Sequence, residues 1–337
     1  MKQAIFSRPD KDKFVGCLLC CHYCRIADGA AGVCGVRDNR GGVLYSRNYG
    51  QVAAANVDPV EKKPLYHFYP GTWSYSIACV GCNFRCDFCQ NWQISQKEEA
   101  KKMGLRLSAL TPAQVVDEAI LHKCKSISYT YTEPAVYFEF AADCARLAKE
   151  KGLKNIFVTN GYLSPDAIEY ISPYLDAVNV DIKAFSESFY KQYCGARLYP
   201  VLENIKLMRK LGIWVEITTL VIPGRNDSEK ELSGIAEYIA GLDRDIPWHL
   251  SRFHPDYKAT EKEFTSTDIL KKAYSLARKA GLRYIYIGNV RTEQGETTFC
   301  PSCGRPVIER LGFSVQENKV KDGKCGFCSG AIAGIGL

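Results

Sequence analysis

The chain has 337 residues, 46% of them hydrophobic and 24% charged, so it can bury a sizeable core and is neither disordered nor low-complexity. The formal charge is +7, but Lys and Arg are scattered among Asp and Glu, which describes a solvated surface and argues against a nucleic-acid partner. No run of about 18 apolar residues is present, and the charged start MKQAIFSRPDKDKF lacks the stretch of a signal peptide, so no membrane span and a cytoplasmic location are expected.

Cysteine is the dominant signal, with thirteen of sixteen in three clusters: five between Cys17 and Cys34, four between Cys79 and Cys89, and four between Cys300 and Cys328. In a chain read as cytoplasmic, such clusters are metal ligands rather than disulfides. Cys124, Cys144 and Cys194 stand alone and are expected to pack as small hydrophobes, although Cys194, in YCGAR after a predicted strand, could reach a site.

Residues 1–65 are rich in Cys, Gly and Arg, and too short to build a core of their own. They read as a metal-stapled N-terminal module. Cys17, Cys20, Cys24 and Cys34 are its candidate ligands, with Cys21 and His22 as alternatives. The metal is left open between zinc and an auxiliary iron–sulfur cluster. The stretch EKKPLYHFYPG marks the boundary.

Residues 66–292 alternate between short β-prone runs and helical patterns. Strands are expected at 74–78, 126–131, 155–159, 176–182, 214–221, 248–253 and 283–288. Helices lie between them; one opens with Thr111 and Pro112, and the next ends in a Lys-rich turn and Gly152. The pattern predicts a parallel sheet, either a barrel or doubly wound. No GxGxxG follows the first strand, so dinucleotide binding has no support.

Residues 293–337 return to cysteine pairs. Cys300, Cys303, Cys325 and Cys328 form two C-x2-C knuckles, the pattern of a four-thiolate site. Zinc in a structural ribbon is expected; a rubredoxin-like iron, which would carry electrons, is the alternative.

The first β-run leads into ACVGCNFRCDFCQNW, in which Cys82, Cys86 and Cys89 form C-x3-C-x2-C. Three thiolates on one loop hold three irons of a four-iron, four-sulfur (4Fe-4S) cluster and leave the fourth open. With Cys79 as a fourth ligand the same segment would be a closed structural site.

This segment resembles the signature of radical S-adenosylmethionine (SAM) enzymes. The resemblance implies a partial (β/α)6 TIM-like barrel and a cluster at Cys82, Cys86 and Cys89. It implies that SAM binds the open iron and is cleaved by one electron to a 5′-deoxyadenosyl radical that abstracts hydrogen. It leaves Cys79 spare. Phe88 precedes the third cysteine. SYTYTEP puts Glu133 where the superfamily's carboxylate receives the SAM ammonium, although Tyr131 and Thr132 replace the usual glycines. A helix-start carboxylate is the plain alternative for Glu133.

NVDIKAF supplies Asp181 and Lys183, which period-2 geometry turns the same way. They resemble a pair near SAM in glycyl-radical activating enzymes, and an ordinary ion pair is the alternative. By the same resemblance Asn160 is a SAM-site residue at a strand end, Ile222 and Gly224 offer backbone to adenine, and His254 meets SAM or substrate unless it is only structural. Over nearly its whole length the chain is similar to the "AmmeMemoRadiSam system" enzymes, relatives of the pyruvate formate-lyase activating enzymes. Cys21, where proline is expected, departs from that pattern.

The expected function is SAM cleavage followed by hydrogen abstraction from a small molecule or protein. Activation of a glycyl-radical partner is the alternative, and a zinc-stapled protein or nucleic-acid scaffold is the reading from another class. The expected partners are SAM, an electron donor such as flavodoxin or ferredoxin, and a further protein.

Overall fold

The β-prone runs become strands because β-branched and aromatic side chains fit a sheet buried on both faces. In the computed structural model, residues 1–290, 292 and 295–337 are described. The expected boundary after residue 292 meets Glu293, which lies outside them. Strand β1 (Gln51–Pro59) runs antiparallel to β2 (Trp73–Cys79). Then follow β3 (Ser126–Tyr129), β4 (Lys154–Thr159), β5 (Ala177–Asp181), β6 (Trp214–Val221), β7 (Trp248–Arg252) and β8 (Ile285–Gly288). Strands β2 to β8 are all parallel, each beside its chain neighbour. That unbroken order is barrel winding; in a doubly wound sheet it would reverse.

Among the described residues the parallel strands are the seven that the sequence pattern predicts. The seventh, β8, is held by Tyr286, whose ring lies 4.6 Å from that of Tyr66 and whose hydroxyl is 2.6 Å from His67 Nε2. Strand β1 starts inside the 1–65 stretch. Its small residues AAAN hid it, because β1 lacks the bulky alternation of an ordinary strand.

The crossover helices follow their caps. Helix α1 (Pro112–Leu121) has a full capping box between Thr111 and Gln114. Next come α2 (Phe138–Glu150), α3 (Pro165–Ile171), α4 (Leu198–Lys210), α5 (Glu229–Leu242) and α6 (Thr267–Ala280). Serine side chains cap α3, α5 and α6 at Ser164, Ser228 and Ser266. Among the described residues no helix is long and apolar enough to cross a membrane.

Both flanking modules grip the barrel. The N-terminal module sends Arg37 into a buried two-pronged pair with Glu139 on α2, at 2.8 Å for each prong. Its chain also pairs with the loop after β4, where the Cys21 amide donates to the Tyr162 carbonyl and Leu19 accepts from Ser164. The C-terminal module sends Arg310 inward to the Tyr66 carbonyl, at 2.7 Å, and to Glu61, at 3.6 Å. The turn of its hairpin places Phe313 over the barrel interior.

Candidate functional site

The loop after β2 carries Cys82, Cys86 and Cys89 to the C-terminal end of the sheet, where β/α barrels build their sites. The three thiols share a cavity of about 570 Å³ with Phe88, Glu133, Asn160, Asp181 and Lys183. These come from the ends of β2, β3, β4 and β5. The volume suits a ligand the size of a nucleoside conjugate.

Each sulfur has a donor of its own. The Phe84 amide donates to Cys82 Sγ at 3.3 Å, and the Ser95 hydroxyl lies 3.2 Å from Cys89 Sγ. Burial pushes the Cys82 and Cys89 thiols up. Cys86 moves the other way. The Cys194 thiol donates to it, and with Lys183 outweighs the opposing effect of burial. Buried sulfurs with N–H and O–H donors are the environment an iron–sulfur cluster requires, so the three cysteines fit that group. Cys79 is buried at the end of β2 and does not line the cavity.

Glu133 is almost fully buried, and its two oxygens accept from the Ala135 amide, the Thr159 hydroxyl and the Asn160 amide at 2.8–3.1 Å. It does cap the turn Pro134–Tyr137, as the plain alternative had it, and it also faces the cavity. Burial lifts its carboxyl to about 7 despite these bonds and despite Lys183. A ligand ammonium would supply the counter-charge this carboxylate lacks.

Asp181 and Lys183 both line the cavity and form an ion pair at 3.0 Å. Burial works against the Lys183 ammonium, but Asp181 and the thiols Cys86 and Cys194 outweigh it and hold its pKa well above the ordinary value. Lys183 therefore stays a cation in the cavity wall.

Ile222, Gly224 and His254 are not among the residues lining this cavity. The Ile222 amide donates to Asn226 Oδ1 at 2.6 Å, and the Gly224 amide donates to Asp227. Both serve their own turn. His254 lies near the Pro255 carbonyl, at 3.5 Å, and is not among the lining residues.

Two features go beyond the expected site residues. A π-turn over Tyr190–Cys194 brings Cys194 against Cys86; a single turn of wider helix leaves no periodic signal. Lys63 is buried in the cavity wall, 2.6 Å from Asp58 Oδ2, with its ammonium over the Tyr131 ring. Burial lowers its pKa to about 8. The Tyr131 hydroxyl donates to the same carboxylate, and Tyr131 holds a φ of 61°, the left-handed region. Tyr131 stands where a glycine was expected, and this bonding offsets the cost of its backbone.

The terminal cysteines form two contrasting groups. Cys300, Cys303, Cys325 and Cys328 bring their sulfurs within 4.8 Å of one another, with Cys300–Cys328 at 3.6 Å and Cys303–Cys325 at 3.8 Å. A tetrahedral ion with thiolate bonds of about 2.3 Å spaces its sulfurs at just under about 4 Å. A single ion fits there. Cys17, Cys20, Cys24 and Cys34 line a separate internal cavity. Cys21 turns away, donating to the Leu163 carbonyl, and the His22 ring is bonded to the Asn83 carbonyl.

Comparison with known proteins gives a consistent picture. The radical SAM superfamily model matches residues 76–233. An uncharacterized protein of Methanocaldococcus jannaschii is 44% identical over 98% of this chain and 99% of its own length. A putative glycyl-radical enzyme activating enzyme of the same organism is 26% identical, covering 66% of this chain and 89% of that one. The pyruvate formate-lyase-activating enzyme of Clostridium pasteurianum is 24% identical, over 57% of this chain and 84% of that one. Among solved structures, a radical SAM methyltransferase from Sphaerobacter thermophilus shares the fold, with a TM-score of 0.51 at 18% identity over 71% of each chain.

Proposed function

Because the chain belongs to the radical SAM superfamily, we propose that it cleaves S-adenosylmethionine reductively and directs the resulting radical to a hydrogen atom of a substrate held in the same barrel. When bound, a four-iron cluster at Cys82, Cys86 and Cys89 supplies the electron that splits SAM into methionine and a 5′-deoxyadenosyl radical. Glu133 takes the SAM ammonium, and its buried carboxylate gains the cation it lacks. Lys183, fixed by Asp181, orients the ligand from the opposite wall. Asn160 and Phe88 complete the pocket, and its walls exclude water from a radical that any loose hydrogen donor would quench.

The observation that carries this reading is the convergence on one cavity of three donor-supported thiols, a buried carboxylate and a buried cation. A second cavity of about 390 Å³ shares Thr218, Ser251, Asn289 and Phe313 with the first and extends to Tyr66, His249 and Tyr286. It supports a substrate that enters a chamber beneath Phe313. The relatives named as activating enzymes support a second reading, hydrogen abstraction from a glycine of a partner protein. A flavodoxin or ferredoxin as donor, and structural zinc at Cys300, Cys303, Cys325 and Cys328, belong to the same proposal.

The test is product formation. Anaerobic protein with reductant and SAM should release 5′-deoxyadenosine, and C82A/C86A/C89A should release none. No product from a wild-type chain with its cluster assembled would refute the reading. A glycyl doublet in electron paramagnetic resonance (EPR) on a partner protein would select the second reading.

A further inference from the structure

The second cavity, of about 390 Å³, adjoins the catalytic one and shares Thr218, Ser251, Asn289 and Phe313 with it. Its charged lining is one-sided. Glu61 and Glu296 line it, and among the described residues no Lys or Arg does. Such a cavity favours a cation over an anion.

Two side chains in its wall carry unpaired atoms. Glu61 and Thr218 are both more than nine-tenths buried, and Glu61 Oε2 and Thr218 Oγ1 have no hydrogen-bond partner. The other Glu61 oxygen is used, since Oε1 accepts from the Gly71 amide at 2.8 Å. Arg310 Nε stands 3.6 Å from that same oxygen, too far for a hydrogen bond, and is itself unpaired. Burial holds the Glu61 carboxyl above its ordinary value despite Arg310. Buried acceptors are paired in folded proteins, so these two point to a donor that a ligand brings.

His249 supplies a third acceptor. Glu216 accepts from the Tyr66 and His67 amides, from Trp214 Nε1 and from His249, all at 2.7–3.0 Å. Burial works against this carboxylate, but His249, His67 and Trp214 outweigh it and keep its pKa below the ordinary value. An ionised Glu216 cannot donate, so the 2.7 Å contact fixes a proton on His249 Nε2. That leaves Nδ1 as the acceptor of a ring that lines the cavity. Thr218, His249 and Tyr286 are register partners across β6, β7 and β8, so they stand in one row. The His249 ring stacks on Tyr286 at 5.1 Å and meets Tyr66 edge-on at 4.8 Å. These rings give the carbon part of a ligand an apolar wall.

An ammonium carries three N–H donors and no acceptor, which matches Glu61, Thr218 and His249. We propose that the second cavity is the substrate pocket and that it binds a small primary amine as its ammonium. The 5′-deoxyadenosyl radical breaks a C–H bond of that amine and takes the hydrogen atom. This yields 5′-deoxyadenosine and a carbon radical, and no proton moves. The amine's place as substrate rests on the function proposed above; the amine site itself does not.

The binding experiment uses the full chain without SAM and two probes of one shape, benzylamine and benzyl alcohol. Titration calorimetry should show benzylamine bound at least about tenfold more tightly, the contribution of one charge-assisted hydrogen bond. E61Q should erase that preference. Equal affinities, binding of neither probe, or a preference that E61Q keeps would overturn the site. If E61Q does not fold, T218V takes its place and should weaken benzylamine binding; an unchanged affinity would overturn the site. With SAM, reductant and benzylamine deuterated at its methylene, the 5′-deoxyadenosine released should carry deuterium. Product without deuterium would overturn the amine as substrate. No product, with the binding preference intact, would instead overturn the catalytic reading and leave the amine site standing.

Discussion

Two groups of four cysteines flank the barrel, and they differ in everything but their number. The C-terminal sulfurs sit at tetrahedral spacing on exposed knuckles, with Cys303 and Cys328 open to solvent. The N-terminal sulfurs are set wider, around a cavity walled by Arg37 and Asn83 and pressed against the catalytic loop. The first arrangement has the spacing for one ion and lies in a small hairpin that has little core of its own. The second is part of the main core, clamped by a buried ion pair. Ligand count alone therefore says little. Spacing, burial and the surrounding core set the two groups apart.

The largest expected effect sharpens that contrast. C82S should lower 5′-deoxyadenosine formation by at least about a thousandfold, because the cluster loses one of only three ligands. C303S should mainly lower the melting temperature, since metal affinity at a structural site is folding free energy. Rate assays and calorimetry on both variants test this. A C303S chain that keeps its melting temperature would break the contrast.

Next in size is the clamp. R37L leaves Glu139 charged and buried, and should cost about 3–5 kcal/mol in denaturant unfolding. An exposed pair within the tail is the control: K319A removes the pair with Glu317 and should cost at most about 0.5 kcal/mol. Equal losses would contradict a clamping role for Arg37.

A smaller effect follows from Glu133. Its carboxyl is lifted to about 7 in the folded chain, and the ammonium of SAM requires the ionised form. Affinity for SAM should therefore be lost as pH falls through 7, by roughly tenfold between about pH 7 and pH 5.5. Titration calorimetry would show this slope, and E133Q would flatten it. The same lift means that ionising Glu133 costs the folded chain stability as pH rises from its ordinary range toward 7. A modest change is also expected of Y131F, which removes one bond to Asp58 and should cost about 1 kcal/mol in unfolding.

Much of this was legible in the sequence, for identifiable reasons. The seven parallel strands showed because each is a short apolar run between capped helices. Glu133, Asp181 and Lys183 showed because a strand end fixes where a side chain points. Strand β1 did not, because alanines and asparagine carry no alternation. Cys194 showed only as an alternative, because a π-turn determines what it meets. Lys63 belongs to a segment that looked like a boundary and Asp58 to the unforeseen strand β1, and only the fold brings them to Tyr131. Ile222 and Gly224 show how a turn can be legible while its bonding is not. Their turn was found, but its amides are consumed by Asn226 and Asp227.

The most direct measurement is EPR of the reduced, cluster-loaded chain before and after SAM is added. The account predicts that SAM shifts the signal of one cluster, and that this response disappears in C82A/C86A/C89A. A wild-type spectrum indifferent to SAM would contradict it.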